Sequence, residues 1–307
     1  MAVRKSENPA LLQPLARERR SSVARGAFAR LQRFLRSSFV GAVSLLLLLC
    51  VIGVALLSER LAPYSPIEPD YANLGRPPTA AHPLGTDTLG RDVLSRVIHG
   101  SRVTLLVALS SVALGDGIGF LWGLISGYLG RRFDAISQRV LDIFMSFPTL
   151  ILAILLLVSL GAGLGTVIIA IAVTRVPLAT RVIRSVVLSI KELAYVEAAR
   201  SLGARPWRII ARHIAPQCFG PLMVIASFNL GTAIFAEAAL SFLGVGVPPP
   251  TPTWGGMLGG VLAEAFKPPW WLVVFPGLAI TVTIMAANLL GDALRDFLDP
   301  KMKRQVE

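Results

Sequence analysis

The chain has 307 residues, of which 54% are hydrophobic and 16% charged, whereas about 25% of an ordinary soluble domain is charged. Its net charge of +12 is concentrated beside apolar runs, which argues against a nucleic-acid-binding protein. The two cysteines, Cys50 and Cys218, lie far apart and form neither a disulfide framework nor a metal-ligand spacing. These features predict an integral protein of the lipid bilayer.

Six apolar runs have about the 20 residues that a helix needs to cross the hydrocarbon core. The first, 39–57, follows a basic tail (1–38) and lacks a cleavage site, so we interpret it as an uncleaved transmembrane anchor helix. An external loop (58–102) leads to the main membrane domain (103–291), and a C-terminal tail (292–307) ends the chain. The remaining runs are 103–128, 140–160, 166–187, 218–243 and 271–291. The pattern predicts an all-α protein with six transmembrane helices.

Basic residues are distributed unevenly between the segments that join these runs. The segments on one side carry 23 Lys and Arg residues and those on the other side carry six. Because basic loops stay in the cytoplasm, both termini and the basic segment 181–212 are predicted to be cytoplasmic.

The second run has a glycine at every fourth residue. Small residues at this spacing lie on one helix face and let two helices approach closely in lipid. We therefore expect helix packing, not ligand binding, from this stripe. Its members are Gly115, Gly119, Gly123 and Gly127.

A polar segment, "EAARSLGARPWRIIARHIAP" (197–216), lies between the fourth and fifth runs on the predicted cytoplasmic side. Gly203 is a good helix stop, and Pro206 suits the first turn of a second helix that ends at Pro216. This predicts a helix, a turn and a helix outside the membrane.

Two surfaces on this segment suggest different roles. Ala198 and Ala199 leave a smooth surface that another protein can approach, with Glu197 and Arg200 as charges at its rim. The alternative is a basic interfacial helix that touches lipid headgroups. That alternative rests on Arg205, Arg208 and Arg212.

This segment resembles the EAA signature of permease subunits of ATP-binding-cassette (ABC) importers. That pattern is E-A-A, three residues, Gly, nine residues, then Ile-x-Leu-Pro; His213 and Ala215 depart from it here. The matching positions are Glu197, Ala198, Ala199, Gly203 and Pro216. Stretches 82–102, 236–258 and 288–303 are similar to the C-type subunit of the dipeptide, oligopeptide and nickel permeases.

The resemblance implies a type I ABC importer permease fold whose cytoplasmic coupling helix docks on an ATPase. It implies a bacterial inner-membrane complex with a second homologous permease subunit, two cytoplasmic ATP-binding subunits (or one fused subunit) and an external substrate-binding protein. ATP and Mg would be bound by the ATPase subunits, and this chain would bind no cofactor. The residues expected to couple to the ATPase are Glu197, Ala198, Ala199, Arg200, Gly203, Pro206 and Pro216.

The sequence contains no phosphate-binding GxxxxGK[ST] loop, no HExxH pair and no GxSxG elbow, which favours a non-catalytic subunit. Dipeptides, longer peptides, glutathione and nickel remain alternative cargoes, although no cluster of His, Cys or Met favours nickel. A different class, an ATP-independent channel or carrier, is also considered.

Ionisable residues inside the spans are expensive and usually functional. Asp116 and Arg175 each lie about halfway along their spans, so we predict that they form a structural salt bridge. The rival hypothesis is that they face the translocation path and meet a peptide's charged termini. Asn229, Glu237 and Asn288 are weaker candidates for lining the path, since an intramembrane Asn can simply join helices.

Overall fold

The computed structural model describes residues 34–35, 38–264 and 268–298, and helices dominate these ranges. The predicted basic tail lies almost wholly outside them, as does the last part of the C-terminal tail (299–307). A single helical turn, Ser58–Leu61, follows the first helix, and a π-helical turn, Ile210–Ile214, joins α7 to α8. The helices are α1 (Phe39–Leu56), α2 (Val93–Leu129), α3 (Arg131–Met145), α4 (Thr149–Leu160), α5 (Leu164–Ile190), α6 (Ala194–Ser201), α7 (Pro206–Ile209), α8 (Ala215–Phe242), α9 (Trp254–Glu264) and α10 (Trp270–Leu298).

Within the described ranges, five helices are long and apolar enough to cross a membrane: α1, α2, α5, the continuous α7–α8 helix and α10. α3 and α4 meet the same length and composition criteria only as a pair, and a bend of 87° separates them. Five of the six predicted spans are therefore confirmed as single helices of sufficient length, but the predicted third span, 140–160, is not one helix. Pro148 explains the break, because a proline disfavours helical geometry at the residue before it, here Phe147.

α2 begins well before the predicted second span. Residues 93–102, which the sequence analysis assigned to the external loop, form its first turns. Asp92 is the N-cap: its Oδ2 accepts hydrogen bonds from Ser95 N (2.8 Å) and Ser95 Oγ (2.7 Å), and its Oδ1 lies 3.0 Å from His82 Nδ1. An N-cap of this kind depends on local hydrogen bonds, which a hydropathy pattern does not register.

The loop before α2 is folded and tied to the bundle. The Asp87 carboxylate accepts hydrogen bonds from Arg91 N (2.9 Å) and Arg91 Nε (2.7 Å). Trp271, at the start of α10, donates from Nε1 to the carbonyl oxygen of Thr86 at 3.2 Å. The loop is thereby joined to α10 at the end of the bundle opposite α6 and α7.

The glycine stripe packs α2 directly on α5. A Cβ atom on Gly119 would lie 2.5 Å from Ala179 Cβ, and one on Gly123 would lie 2.7 Å from the carbonyl oxygen of Thr180. Such distances leave room only for hydrogen, so the two backbones are in contact. The predicted packing role of the stripe is confirmed, and α2 and α5 form one rigid pair.

Candidate functional site

The first helix of the polar segment, α6, ends as the sequence predicts. Gly203 adopts φ = 76°, a left-handed geometry that glycine reaches without strain. Its N–H donates to Arg200 O (3.0 Å), and Ala204 N donates to Ala199 O (3.1 Å). This pair of bonds is a Schellman motif, which satisfies the last carbonyls of the helix. The predicted helix stop at Gly203 is confirmed.

The second helix begins as predicted but does not end where predicted. Pro206 occupies the first turn of α7, after Arg205 in extended geometry. The predicted end at Pro216 is wrong, because the π-turn carries the helix straight into α8. Ala215 N bonds to Ile210 O, and this wider turn relieves the clash that Pro216 would make in a regular helix. The second helix of the segment, α7, and the fifth span, α8, therefore form one continuous rod, Pro206–Phe242.

Residues 194–214, which comprise α6, α7 and the π-helical turn, are called the coupling segment below. The buried side of the coupling segment is part of the bundle core. Its apolar side chains pack with those of α2 and α5 in one cluster. The cluster contains Val196, Ile209, Ile210 and Ile214 from the segment, and Leu124, Ile183 and Val187 from α2 and α5. A force on the segment would therefore act on these helices as well as on α8.

The opposite side of the coupling segment is open. Glu197, Ala198 and Arg200 are exposed, and Ala199 is half-buried. A groove of about 830 Å³ runs between the two helices. Its lining includes Ala198, Ala199, Gly203, Arg205 and Arg208.

Two large exposed apolar side chains of the coupling segment were missed by the sequence analysis. Leu202 lines the groove and is 87% exposed, and Trp207, near the start of α7, is 69% exposed. The signal was available in the sequence, because Leu202 and Trp207 lie in a polar segment that is predicted to be outside the hydrocarbon core. Exposed apolar side chains at such a place mark a protein or membrane contact.

The predicted salt bridge between Asp116 and Arg175 is wrong. No ion pair within 4.0 Å joins these two described residues; α8 supplies a partner to each instead. Asp116 Oδ1 accepts a hydrogen bond from Asn229 Nδ2 at 2.7 Å. Arg175 Nη1 donates to Thr232 Oγ1 at 2.6 Å. The two charges were placed at the correct depth, but each bonds a neutral side chain of α8 and not the other charge.

Glu237 and Asn288 have structural contacts. Glu237 is fully buried, and its carboxylate accepts hydrogen bonds from Thr104 Oγ1 (3.0 Å) and Ser241 Oγ (2.8 Å). Asn288, on α10, packs against Gly231 of α8, where an added Cβ would lie 2.5 Å from its Oδ1. These contacts join α8 to α2 and α10; a path-lining role for either residue stays a prediction.

Two ion pairs join α3 to α5 near the coupling segment. Arg184 donates Nε and Nη2 to the two carboxylate oxygens of Asp134, each at 2.5 Å, in a bidentate arrangement. Arg181 pairs with Asp142. Bidentate pairing fixes geometry as well as charge, so the amphipathic helix α3 is held against α5.

Among the residues that the structure describes, no group of three or more His, Cys, Asp or Glu side chains is arranged to hold a metal ion.

The candidate site is an exposed coupling surface at one end of the α7–α8 rod. The middle of the same rod is bonded to a buried polar cluster.

Comparison with known proteins adds an independent line of evidence. A family described as "Binding-protein-dependent transport system inner membrane component" matches residues 119–304. The glutathione transport system permease protein GsiD of Pectobacterium atrosepticum is 41% identical over 273 residues, covering 89% of this chain and 90% of that protein. The di/tripeptide transport system permease protein DppC of Pseudomonas aeruginosa is 42% identical, covering 84% and 87%. The dipeptide transport system permease protein DppC of Bacillus subtilis is 38% identical, covering 89% and 85%.

A solved structure agrees with the fold. A chain of the MetNI methionine ABC transporter in inward-facing conformations superposes with a TM-score of 0.52 at 22% identity, covering 66% of this chain and 97% of that chain. The family match spans more than half of the chain, and the relatives align over most of its length. This multi-pass membrane protein therefore belongs to the permease family of binding-protein-dependent transport systems, in the dipeptide and oligopeptide branch of the ABC importers.

Proposed function

We propose that the chain is the permease subunit of an ATP-driven importer for di- or oligopeptides and forms half of the translocation path. The observation that carries this proposal is the continuous α7–α8 rod, which joins an exposed coupling surface to the interior of the bundle. A subunit that transmits ATPase motion needs such a rigid connection. The named cargoes of its relatives, which are dipeptides, tripeptides and glutathione, support a peptide-type substrate.

The groove of the coupling segment is the proposed docking site for a cytoplasmic ATPase subunit. Leu202 offers apolar surface to bury, and Arg205 and Arg208 favour an acidic partner surface. Glu197 and Arg200 lie on the exposed side of α6 and would add polar contacts at the rim. ATP and Mg would be bound by that partner, so this subunit itself catalyses no reaction.

The proposed complex contains a second homologous permease subunit, two ATP-binding subunits or one fused subunit, and an external substrate-binding protein. It lies in the bacterial inner membrane with both termini of this chain in the cytoplasm, as the distribution of basic residues favours. Closure of the ATPases on ATP would move the two docked segments and switch the bundle between two arrangements.

The test is uptake in cells that carry the whole transporter with the wild-type chain, Glu197→Lys or Glu192→Lys. Labelled dipeptides, glutathione, longer peptides and nickel are supplied separately. We expect ATP-dependent peptide uptake that Glu197→Lys abolishes. Glu192→Lys makes the same charge change at an exposed residue just before α6, so uptake should persist.

Three results would contradict the proposal. Uptake of nickel without any peptide would refute the cargo class but not the coupling role. Equal loss of peptide uptake in Glu197→Lys and Glu192→Lys would mean that the change of charge, and not the loss of docking, abolishes uptake. Uptake by the purified chain without ATP would identify a channel or carrier instead.

A further inference from the structure

Asp116 and Arg175 extend from helices whose backbones are in direct contact. Gly115, next to Asp116, lies so close to α5 that a Cβ there would be 2.5 Å from the carbonyl oxygen of Ala172 and 2.9 Å from Arg175 Cβ. The two side chains therefore originate close together and can change partners by rotating, without any movement of α2 relative to α5.

Both current partners come from one helix. Asn229 and Thr232, which bond Asp116 and Arg175 respectively, are three residues apart on α8 and so lie about one turn apart on neighbouring parts of its surface. Both partners are neutral. A single movement of α8 away from the α2–α5 pair would break both bonds together.

The two charges are incompletely satisfied in this arrangement. Asp116 Oδ2 and Arg175 Nε are buried, and neither has a hydrogen-bond partner among the described residues. A buried charge without a counter-ion is costly, and the cost falls when an opposite charge is within reach. Once released from α8, the carboxylate and the guanidinium would have each other as the best remaining partners.

α8 has a fixed point at Glu237 and, through the continuous rod, a distant end in the coupling segment on which a force can act. Glu237, about 12 Å along the helix from Asn229 at 1.5 Å per residue, bonds α8 to Thr104 of α2. In the other direction the rod reaches Pro206, about 46 Å from Glu237. If the rod pivots at Glu237, a shift of about 6 Å at the coupling segment moves Asn229 by about 1.5 Å, which is enough to break a hydrogen bond.

We propose that Asp116 and Arg175 form a latch on α8: they hold it through Asn229 and Thr232 in the arrangement described here, and pair directly with each other when α8 moves. Opening the latch exchanges two hydrogen bonds to α8 for one ion pair inside the rigid α2–α5 unit. This exchange therefore keeps the free energies of the two arrangements of the transporter close to each other. This proposal rests on the proposed function, since it needs ATP-driven motion of the coupling segment.

A cross-link across α2 and α8 would report the motion. The rings of Phe120 on α2 and Phe219 on α8 have centroids 5.4 Å apart, nearer the coupling segment than the latch is. Cysteines replace both rings, and Cys50 and Cys218 are changed to alanine. The complete transporter is placed in lipid vesicles, and cross-linking yield is followed as ATP with vanadate is titrated. The yield is expected to fall, with a measurable ATP midpoint.

Two sets of variants test the exchange of partners. Asn229→Leu with Thr232→Val removes the bonds to α8 and should lower the ATP midpoint at least threefold. Asp116→Asn, Arg175→Gln and the double variant test the direct pair. Each single variant also alters a bond to α8, so the test is the comparison with the double variant: if the pair forms, the effects of the two single variants on the midpoint do not multiply in the double variant, because the pair is lost only once.

Other outcomes overturn the latch. Independent effects that multiply in the double variant would mean that no direct pair forms. A changed KM for peptide with an unchanged midpoint would place the charges in the cargo path. A cross-link that ATP does not alter, in vesicles that still import peptide, would refute the latch alone; absence of ATP-driven import by the wild-type complex would refute the proposed function.

Discussion

The coupling segment and the intramembrane cluster use polar residues in opposite ways. In the coupling segment, backbone bonds such as Ala204 N to Ala199 O fix the shape, and the polar side chains of Glu197 and Arg200 are left exposed for a partner. In the cluster, the side chains of Asp116 and Glu237 are themselves the bonds between helices. A polar residue in this protein is therefore available for recognition only where backbone geometry already holds the fold. Substitutions in the two regions should separate stability from partner binding.

The largest loss of stability is expected where no side chain can give way. Gly119→Leu would drive a side chain into α5, since even a Cβ would lie 2.5 Å from Ala179 Cβ and 3.0 Å from Val176 O. Forcing the backbones apart should cost about 3 kcal/mol in the free energy of unfolding. Heating the detergent-solubilised protein and measuring the monodisperse fraction by size-exclusion chromatography tests this. Gly117→Leu, on the same helix with no atom within 4 Å of its Cβ position, is the matched control and should remain near wild type.

A smaller loss is expected from the buried carboxylate. Glu237→Ala would leave a cavity and remove the acceptor for the hydroxyls of Thr104 and Ser241, at a cost of about 2–3 kcal/mol. The same heating assay measures it. Glu237→Gln keeps one carbonyl acceptor and the side-chain volume, so it should lose about half as much or less. Equal losses in the two variants would mean that charge, not hydrogen bonding, stabilises this site.

The fold could largely be predicted because its main signal is local. Apolar runs located the five helices that are long enough to cross a membrane, and glycine spacing identified the face of α2 that packs on α5. The break before Pro148 was missed because a hydropathy run ignores the constraint that a proline places on the preceding residue. The early start of α2 was missed because Arg96 and Arg102 lower the hydropathy of a segment that is nevertheless helical.

The candidate site could be predicted only in part, for the same reason. The turn at Gly203 depends on adjacent residues, so the sequence located it. The depth of Asp116 and Arg175 follows from helical rise, but their direction around each helix and the partners that α8 supplies depend on tertiary packing. Long-range partners such as Asn229 leave no local trace in one sequence.

A modest effect is expected at the turn of the coupling segment. Gly203→Ala places a Cβ on a residue with φ = 76° but meets no atom within 4 Å, so the cost is backbone strain alone, about 1 kcal/mol. Because the strained turn lies between the two helices of the docking groove, it can relax by changing their arrangement. ATPase binding should then weaken up to about fivefold, and the loss of thermal stability should be about 1 kcal/mol or less. Gly220→Ala, which has open space and ordinary helical geometry, should weaken neither. Titration of the ATPase subunits onto the purified permease measures the affinity.

The smallest effect on stability is expected at Leu202, and there the comparison between the regions is sharpest. Leu202 is 87% exposed, so Leu202→Ala should change the free energy of unfolding by less than about 0.5 kcal/mol. If the groove docks an ATPase, burying this side chain contributes about 1.5 kcal/mol or more, and its loss should weaken ATPase binding about tenfold. Leu243→Ala, 56% exposed at the far end of α8, makes the same truncation away from the groove and should leave the affinity unchanged. Equal binding by both variants would show that the ATPase does not bury Leu202, and a loss of stability in Leu202→Ala would show that this side chain helps to hold the fold. Either result would remove the distinction between a surface kept for recognition and an interior kept for stability.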